Sequence, residues 1–277
     1  MIYRPFIAIA SLILMLLAAS AGIAQTDGIK RSSTEQLIKD LQLAPCKQAD
    51  RLAAVKELFR AKGAPDESIE SEKFKNLENL QITKKGKTDE TIVVGAHYDK
   101  VEQGCGAIDN WTGIVLIANL YASIKDIATE KTILFVAFDK EEAGLLGSLA
   151  MTKAIPKEKK GSYCSMLNFD SFGFAYPQGM TNASSPKMID AARKLAKELN
   201  VSFSTAAILN ADADSSSFKD KGIPAITIHG LDANWEKYLH SSEDKLSNIN
   251  ATSERFGYDF ALQFLLQLDK SPCAAYR

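Results

Sequence analysis

The stretch TILFVAFDKEEAGLLGS, residues 132–148, decides the fold. Residues 132–138 are apolar at both alternate positions and rich in β-branched and aromatic side chains. A strand with one wet face would alternate, so this one is covered on both sides, as in a parallel sheet with helices above and below. Glu141 and Glu142 follow it at once, and residues 143–154 then read as a helix. The acids therefore fall at the carboxyl end of a buried strand, where open α/β sheets place their ligands.

Working outward, the same unit recurs. Residues 91–96 are a short β-branched run, followed immediately by His97 and Asp99, and Asp109 precedes a helical pattern over 112–123. Residues 163–169 form the next strand, which ends at Asp170. Ser185 offers a helix cap with Pro186 at the first helical position. Met188, Ala192, Leu195, Ala196 and Leu199 share one face of that helix. Strands are expected at 201–209 and 223–228, with His240 in the loop after the latter. A closing helix over 252–268 carries Phe256, Phe260, Phe264 and Leu268 at i, i+4 steps. Upstream, residues 33–62 read as two helices, with Leu37, Ile38 and Leu41 on one face and Leu52, Val55, Leu58 and Phe59 on another. Residues 77–83 alternate as a strand, and Lys85-Gly86-Lys87 is expected to turn it back as a hairpin. This alternation predicts an α/β protein, a three-layer αβα sandwich around a mostly parallel mixed sheet. Residues 25–277 are expected to form one domain, with 25–75 as a helical segment packed on it.

Composition narrows the function. Residues 1–24 combine Arg4, an apolar run over 6–19 and the small-residue stretch Gly22-Ile23-Ala24, which reads as a signal peptide. The run falls short of the roughly 20 residues that span a bilayer. A secreted or periplasmic protein without stable membrane association is the expectation. Net charge is −1 with no basic stripe. Nucleic-acid affinity depends on clustered Lys and Arg, so nucleic acid is excluded as a partner. The four cysteines, Cys46, Cys105, Cys164 and Cys273, lack CxxC spacing and suit disulfides in an exported chain. The pairing read from the sequence is Cys105–Cys164 with Cys46–Cys273.

Taken singly, each acid or histidine at a strand end has a bland explanation as a loop residue, a helix cap or a first-turn acid. Together they do not. The chain has three histidines, and two stand at these positions among Asp109, Glu142 and Asp170. Imidazole and carboxylate suit Zn²⁺, and a metal pair needs a bridging carboxylate. A further carboxylate, not itself a ligand, must take the proton of the attacking water.

These segments resemble the M28 family of zinc peptidases. The matching pieces are Gly95-Ala96-His97-Tyr98-Asp99, residues 106–113 around Asp109, residues 138–148 around Glu141-Glu142, Asn168-Phe169-Asp170, and residues 240–244. The resemblance implies that His97 and Asp170 hold one zinc and Glu142 and His240 the other, with Asp109 bridging. Glu141 would be the general base and Asp99 would orient His97. Asp244 would hydrogen-bond near His240, and the peptide between Asp109 and Asn110 would be cis. Activity would be that of a metallo-aminopeptidase acting on peptides with two zinc ions per chain. A single-zinc glutaminyl cyclase and a non-catalytic zinc-binding module are the alternatives. The sequence departs from the family at Ser215, where a His commonly follows the acid at Asp214. Tyr238 stands two residues before His240 rather than beside it, which weakens it as an oxyanion donor. His229 has no assigned role and reads as a hydrogen-bonded structural histidine.

Overall fold

The computed structural model describes residues 28–277, so the segment read as a signal peptide lies outside the described residues. The apolar run becomes β4 (Thr132–Phe138), buried over its last six residues. It pairs in parallel with β3 (Thr91–His97), and β3 pairs in parallel with β5 (Tyr163–Phe169). β5 is followed across the sheet by β8 (Ala225–His229), again parallel. These four strands form the centre, and their side chains are buried on both faces as the sequence requires.

The edges are antiparallel or short. β1 (Ile69–Phe74) and β2 (Leu77–Lys84) form a hairpin that joins β4, and β6 (Gln178–Met180) and β7 (Ser204–Ala206) close the other side. The order is β1-β2-β4-β3-β5-β8-β6-β7, a mixed eight-stranded sheet. One layer holds α1 (Thr34–Leu41), α2 (Gln48–Ala61), α3 (Thr112–Ile124), α5 (Pro186–Leu199) and α7 (Ala251–Lys270). Their apolar faces share one core with Ile92, Val94, Ile226 and Ile228. The opposite layer holds α4 (Leu146–Ala154) and α6 (Ser215–Asp220), with Met151 and Phe218 packed against Val93, Val136 and Met166. The αβα sandwich is thus the fold.

Three expectations are corrected. Lys85-Gly86-Lys87 does not close a hairpin between β2 and β3, because β4 lies between them and the true hairpin is β1–β2. β3 is apolar on both faces and takes the centre, whereas the alternating β2 suits a position nearer the edge. The strand expected over 201–209 shrinks to Ser204–Ala206 at the sheet edge, where Leu209 stays 82% exposed. The disulfides are Cys46–Cys105 and Cys164–Cys273, not the pairing expected. Spacing along a chain carries no distance. The fold sets the N-terminus of α2 against the loop after β3, and the chain after α7 against β5.

The first disulfide works with Arg51, which is fully buried. Its guanidinium donates to the carbonyls of Tyr98, Pro45, Cys105 and Gly106, and lies 5.6 Å over the Trp111 ring. Burial lowers its pKa to about 10. Gly106 must be glycine here: its φ is +63°, and a Cβ would come within 2.9 Å of the Arg51 guanidinium.

Candidate active site

The carboxyl ends of the central strands deliver the polar residues to one place. His97 ends β3, Glu141 and Glu142 follow β4, and Asp170 follows β5. Asp109 reaches the site from the non-helical turn before α3, through a cis peptide bond to Asn110. His240 comes from the loop after β8, in the left-handed backbone region at φ +56°.

Asp109 stands between the two histidines. Its Oδ1 is 3.1 Å from His97 Nε2 and its Oδ2 is 3.2 Å from His240 Nε2. Asp170 Oδ1 lies 3.5 Å from His97 Nε2, and Glu142 Oε2 lies 3.1 Å from His240 Nε2. The five residues thus form two groups of three that share one carboxylate. The His97 side chain is 1% exposed and that of His240 is 55% exposed, so one end of the cluster is sealed and the other opens to solvent.

The supports behind the cluster are specific. Asp99 accepts from the backbone N–H of Glu141 at 3.0 Å and of Glu142 at 3.2 Å, and its Oδ1 is 3.4 Å from His97 Nδ1. Asp244 accepts from the N–H of Ile108 at 2.7 Å and of Asp109 at 3.4 Å. It therefore braces the turn that carries Asp109. Asn110 donates to the Phe169 carbonyl and accepts from Gly113 and Ser171, tying that turn to the end of β5.

The electrostatics follow from burial and crowding. Burial and the neighbouring Asp170, Asp214 and Asp109 hold the Glu141 carboxyl well above its usual range, against the pull of His97. Burial also raises Glu142. Hydrogen bonds to Asp109 and Glu142 push His240 up to about 10. Burial opposes protonation of His97, but the surrounding carboxylates overcome it and hold its pKa high. So many acids around two imidazoles in one partly dry pocket call for added positive charge. Glu142 Oε1 is buried with no hydrogen-bond partner among the described residues.

A cleft of about 430 Å³ opens over the cluster. His97, Asp109, Glu141, Glu142, Asp170 and His240 form its floor, and its walls carry Met180, Ile208, Leu231, Trp235 and Leu239. Tyr238 is not part of this lining; its ring packs on Phe174 at 4.6 Å. Two burials were not anticipated: that of Asp214, which the sequence reading named only as a family acid, and that of Arg51. Asp214 is fully buried, with both oxygens unpartnered among the described residues and burial raising it to about 7. Arg51 was legible in principle, since it precedes Val55 by four on the buried stripe of α2, where an apolar Leu52 was the more obvious candidate.

Comparison with known proteins identifies the family. The model of peptidase family M28 matches residues 79–264. Leupeptin-inactivating enzyme 1 of Streptomyces exfoliatus is 27% identical over 187 residues, 61% of this chain and 43% of that protein. Aminopeptidase YwaD of Bacillus subtilis is 26% identical over 185 residues, 63% and 40% respectively. The chain thus spans well under half the length of these two relatives. The Legionella pneumophila LapA aminopeptidase has a similar fold, with TM-score 0.69 and 18% identity over 90% of this chain and 78% of that one. A glutaminyl cyclase from an Acidobacteriales bacterium gives TM-score 0.76 at 18% identity, covering 88% of this chain and 97% of that one. The family match takes in 186 of 277 residues, and all the clustered side chains lie inside it. On that basis, the chain belongs to peptidase family M28.

Proposed function

We propose that the chain is an exported aminopeptidase that removes the N-terminal residue of peptides at a two-zinc centre. The observation that carries this is Asp109, whose two oxygens each face a different histidine at 3.1 and 3.2 Å. Tetrahedral Zn²⁺ with N and O ligands at about 2.0–2.2 Å sets donor atoms roughly 3.3–3.6 Å apart. The spacings of 3.1–3.5 Å from each histidine to its two carboxylates fit that requirement. The unpartnered Glu142 Oε1 and the excess of carboxylates fit it as well. His97, Asp170 and Asp109 would hold one ion; His240, Glu142 and Asp109 the other.

Zinc, when bound, supplies Lewis-acid polarisation of a carbonyl and hydroxide at neutral pH. The protein's own part is to orient the peptide and to move protons. Glu141 lines the cleft without being one of the five ligands, which leaves its carboxylate free to accept a proton. It would take the proton of the attacking water and return it to the departing amine as the C–N bond breaks. Asp99 would position Glu141 through its carboxylate and His97 through its backbone carbonyl, 3.3 Å from Nδ1. The two disulfides support an oxidising compartment, secreted or periplasmic, as the place of action.

The Glu141→Gln variant tests the reading on aminoacyl anilides. Zinc content should stay near wild type while kcat falls by roughly 10²–10⁴. Unchanged kcat would remove Glu141 from the mechanism. A second reading, a single-zinc glutaminyl cyclase, is favoured by the 97% coverage of the cyclase chain. One zinc per chain at full activity, with loss of ammonia from N-terminal glutamine, would establish that reading instead.

A further inference from the structure

One wall of the cleft is an apolar strip that begins beside the cluster. Leu239, which immediately precedes His240, packs with Leu231, Trp235 and Ile208, and Ile208 packs in turn with Met180 and Ala211. Asp212 follows Ala211, lines the same cleft and is exposed to solvent. It stands two residues before Asp214, so the two Cα atoms are within about 7 Å of each other. Asp214 in turn is near enough for its charge to raise the proton affinity of Glu141.

The Asp212 carboxylate is held on one side only. Its Oδ1 accepts the backbone N–H of Ala213 at 2.9 Å and the hydroxyl of Ser216, which secures the start of α6. Its Oδ2 takes no hydrogen bond among the described residues, and no Lys or Arg of those residues pairs with it. Apart from the histidines, the ionisable groups of the lining are all acids: Asp109, Glu141, Glu142, Asp170 and Asp212. Two divalent ions at the centre would balance the first four and leave Asp212 as the uncompensated charge. A leucine or phenylalanine side chain fits the strip and leaves Oδ2 unpaired, while a glutamate meets a like charge. A methylene stem that ends in a cation satisfies both the strip and the carboxylate.

We infer that Asp212 is a specificity-determining residue that pairs, through Oδ2, with the ammonium or guanidinium of an N-terminal lysine or arginine. The inference deepens the proposed reading of the cleft as the site for a peptide's first residue, and rests on it.

The test compares two ligands that differ only in the terminal amine, L-lysine hydroxamate and L-norleucine hydroxamate. Their dissociation constants are measured by calorimetry on zinc-loaded wild type, Asp212→Asn and Asp212→Lys, with folding checked by thermal melting. Asp212→Asn keeps an oxygen for Ala213 and Ser216 and removes only the charge. Wild type should bind the lysine compound roughly fivefold more tightly, the upper range for a solvent-exposed ion pair. That ratio should fall to about one in Asp212→Asn, drop further in Asp212→Lys, and shrink in wild type as salt is added. The kcat/KM ratio for lysyl over norleucyl anilide should move in parallel. A wild-type binding ratio below about two would overturn the inference, as would an Asp212→Asn ratio above about half the wild-type value. Equal loss of both compounds in the variants would overturn it too, since Asp212 would then serve the shared α-ammonium or the fold. Cleavage of both anilides without a lysine preference sinks the inference alone. A lysine preference in binding with no anilide cleaved sinks the proposed activity alone, and the absence of both sinks both.

Discussion

The Asp99 carboxylate accepts the backbone N–H of Glu141 at 3.0 Å, and so joins the turn after β4 to the end of β3. The same carboxylate accepts from Glu142 and stands 3.4 Å from His97 Nδ1. One short side chain thus holds the two glutamates in register, while the hydrogen bond to His97 Nδ1 comes from the Asp99 backbone carbonyl at 3.3 Å.

Replacing Asp99 by Asn leaves one carbonyl oxygen to serve both N–H groups and turns an NH₂ toward a donor. Zinc affinity should fall roughly 10–100-fold, as for other groups that orient metal-binding side chains. Titration against a zinc indicator measures it, and unaltered affinity together with unaltered kcat would remove Asp99 from this role.

The shared carboxylate makes a stoichiometric prediction. His240→Ala should leave one zinc per chain, since His97, Asp170 and Asp109 remain, whereas Asp109→Ala should weaken both positions. Metal analysis after dialysis distinguishes the two variants. Equal zinc content in both would show that Asp109 is not shared.

Arg51 lies outside the segment that matches the family, yet its guanidinium satisfies four carbonyls, three of them in the loop between His97 and Asp109. Arg51→Met keeps the bulk and leaves those carbonyls without a donor. The loss should reach about 3 kcal/mol or more, given a net 1.5–3 kcal/mol for a single hydrogen bond to a charged group. Urea unfolding reads it directly.

The Cys46–Cys105 bond closes 59 residues of chain. Paired Cys46→Ser and Cys105→Ser substitutions should cost about 2–4 kcal/mol through the unfolded state. Zinc affinity should fall too, because the freed loop joins two of the clustered side chains. Unchanged zinc affinity with lowered stability would confine the bond to the unfolded-state effect.

Glu254 gives a pH signature away from the cleft. It is fully buried in the first turn of α7, neither oxygen has a partner among the described residues, and burial holds its carboxyl well above the usual range. The unfolded chain releases this proton near the ordinary carboxylate pKa while the folded chain keeps it. Stability is therefore lost as pH rises above that ordinary value. Glu254→Gln should raise the melting temperature by a few degrees at pH 8 and by nothing at pH 3. Equal melting curves at pH 8 would sink the prediction.

The αβα architecture was legible before any coordinates. Strand burial leaves a local mark: 133–138 is apolar throughout and 163–169 is mostly so, broken only by Ser165 and Asn168, and acids and histidines fall just after such runs. The five clustered residues could be named for that reason, and the cis bond followed from the resemblance. What the sequence determined by itself is what short-range physics writes into neighbouring residues: periodicity, caps, and the order of strand and ligand. Only the tertiary structure decided which cysteines meet, that β4 separates β2 from β3, that Arg51 is buried beside the core-packed Leu52, and that His229 is left with an unspent donor. Those outcomes depend on distances between segments far apart in the chain, and on which polar groups lose water when layers close. No local pattern records them.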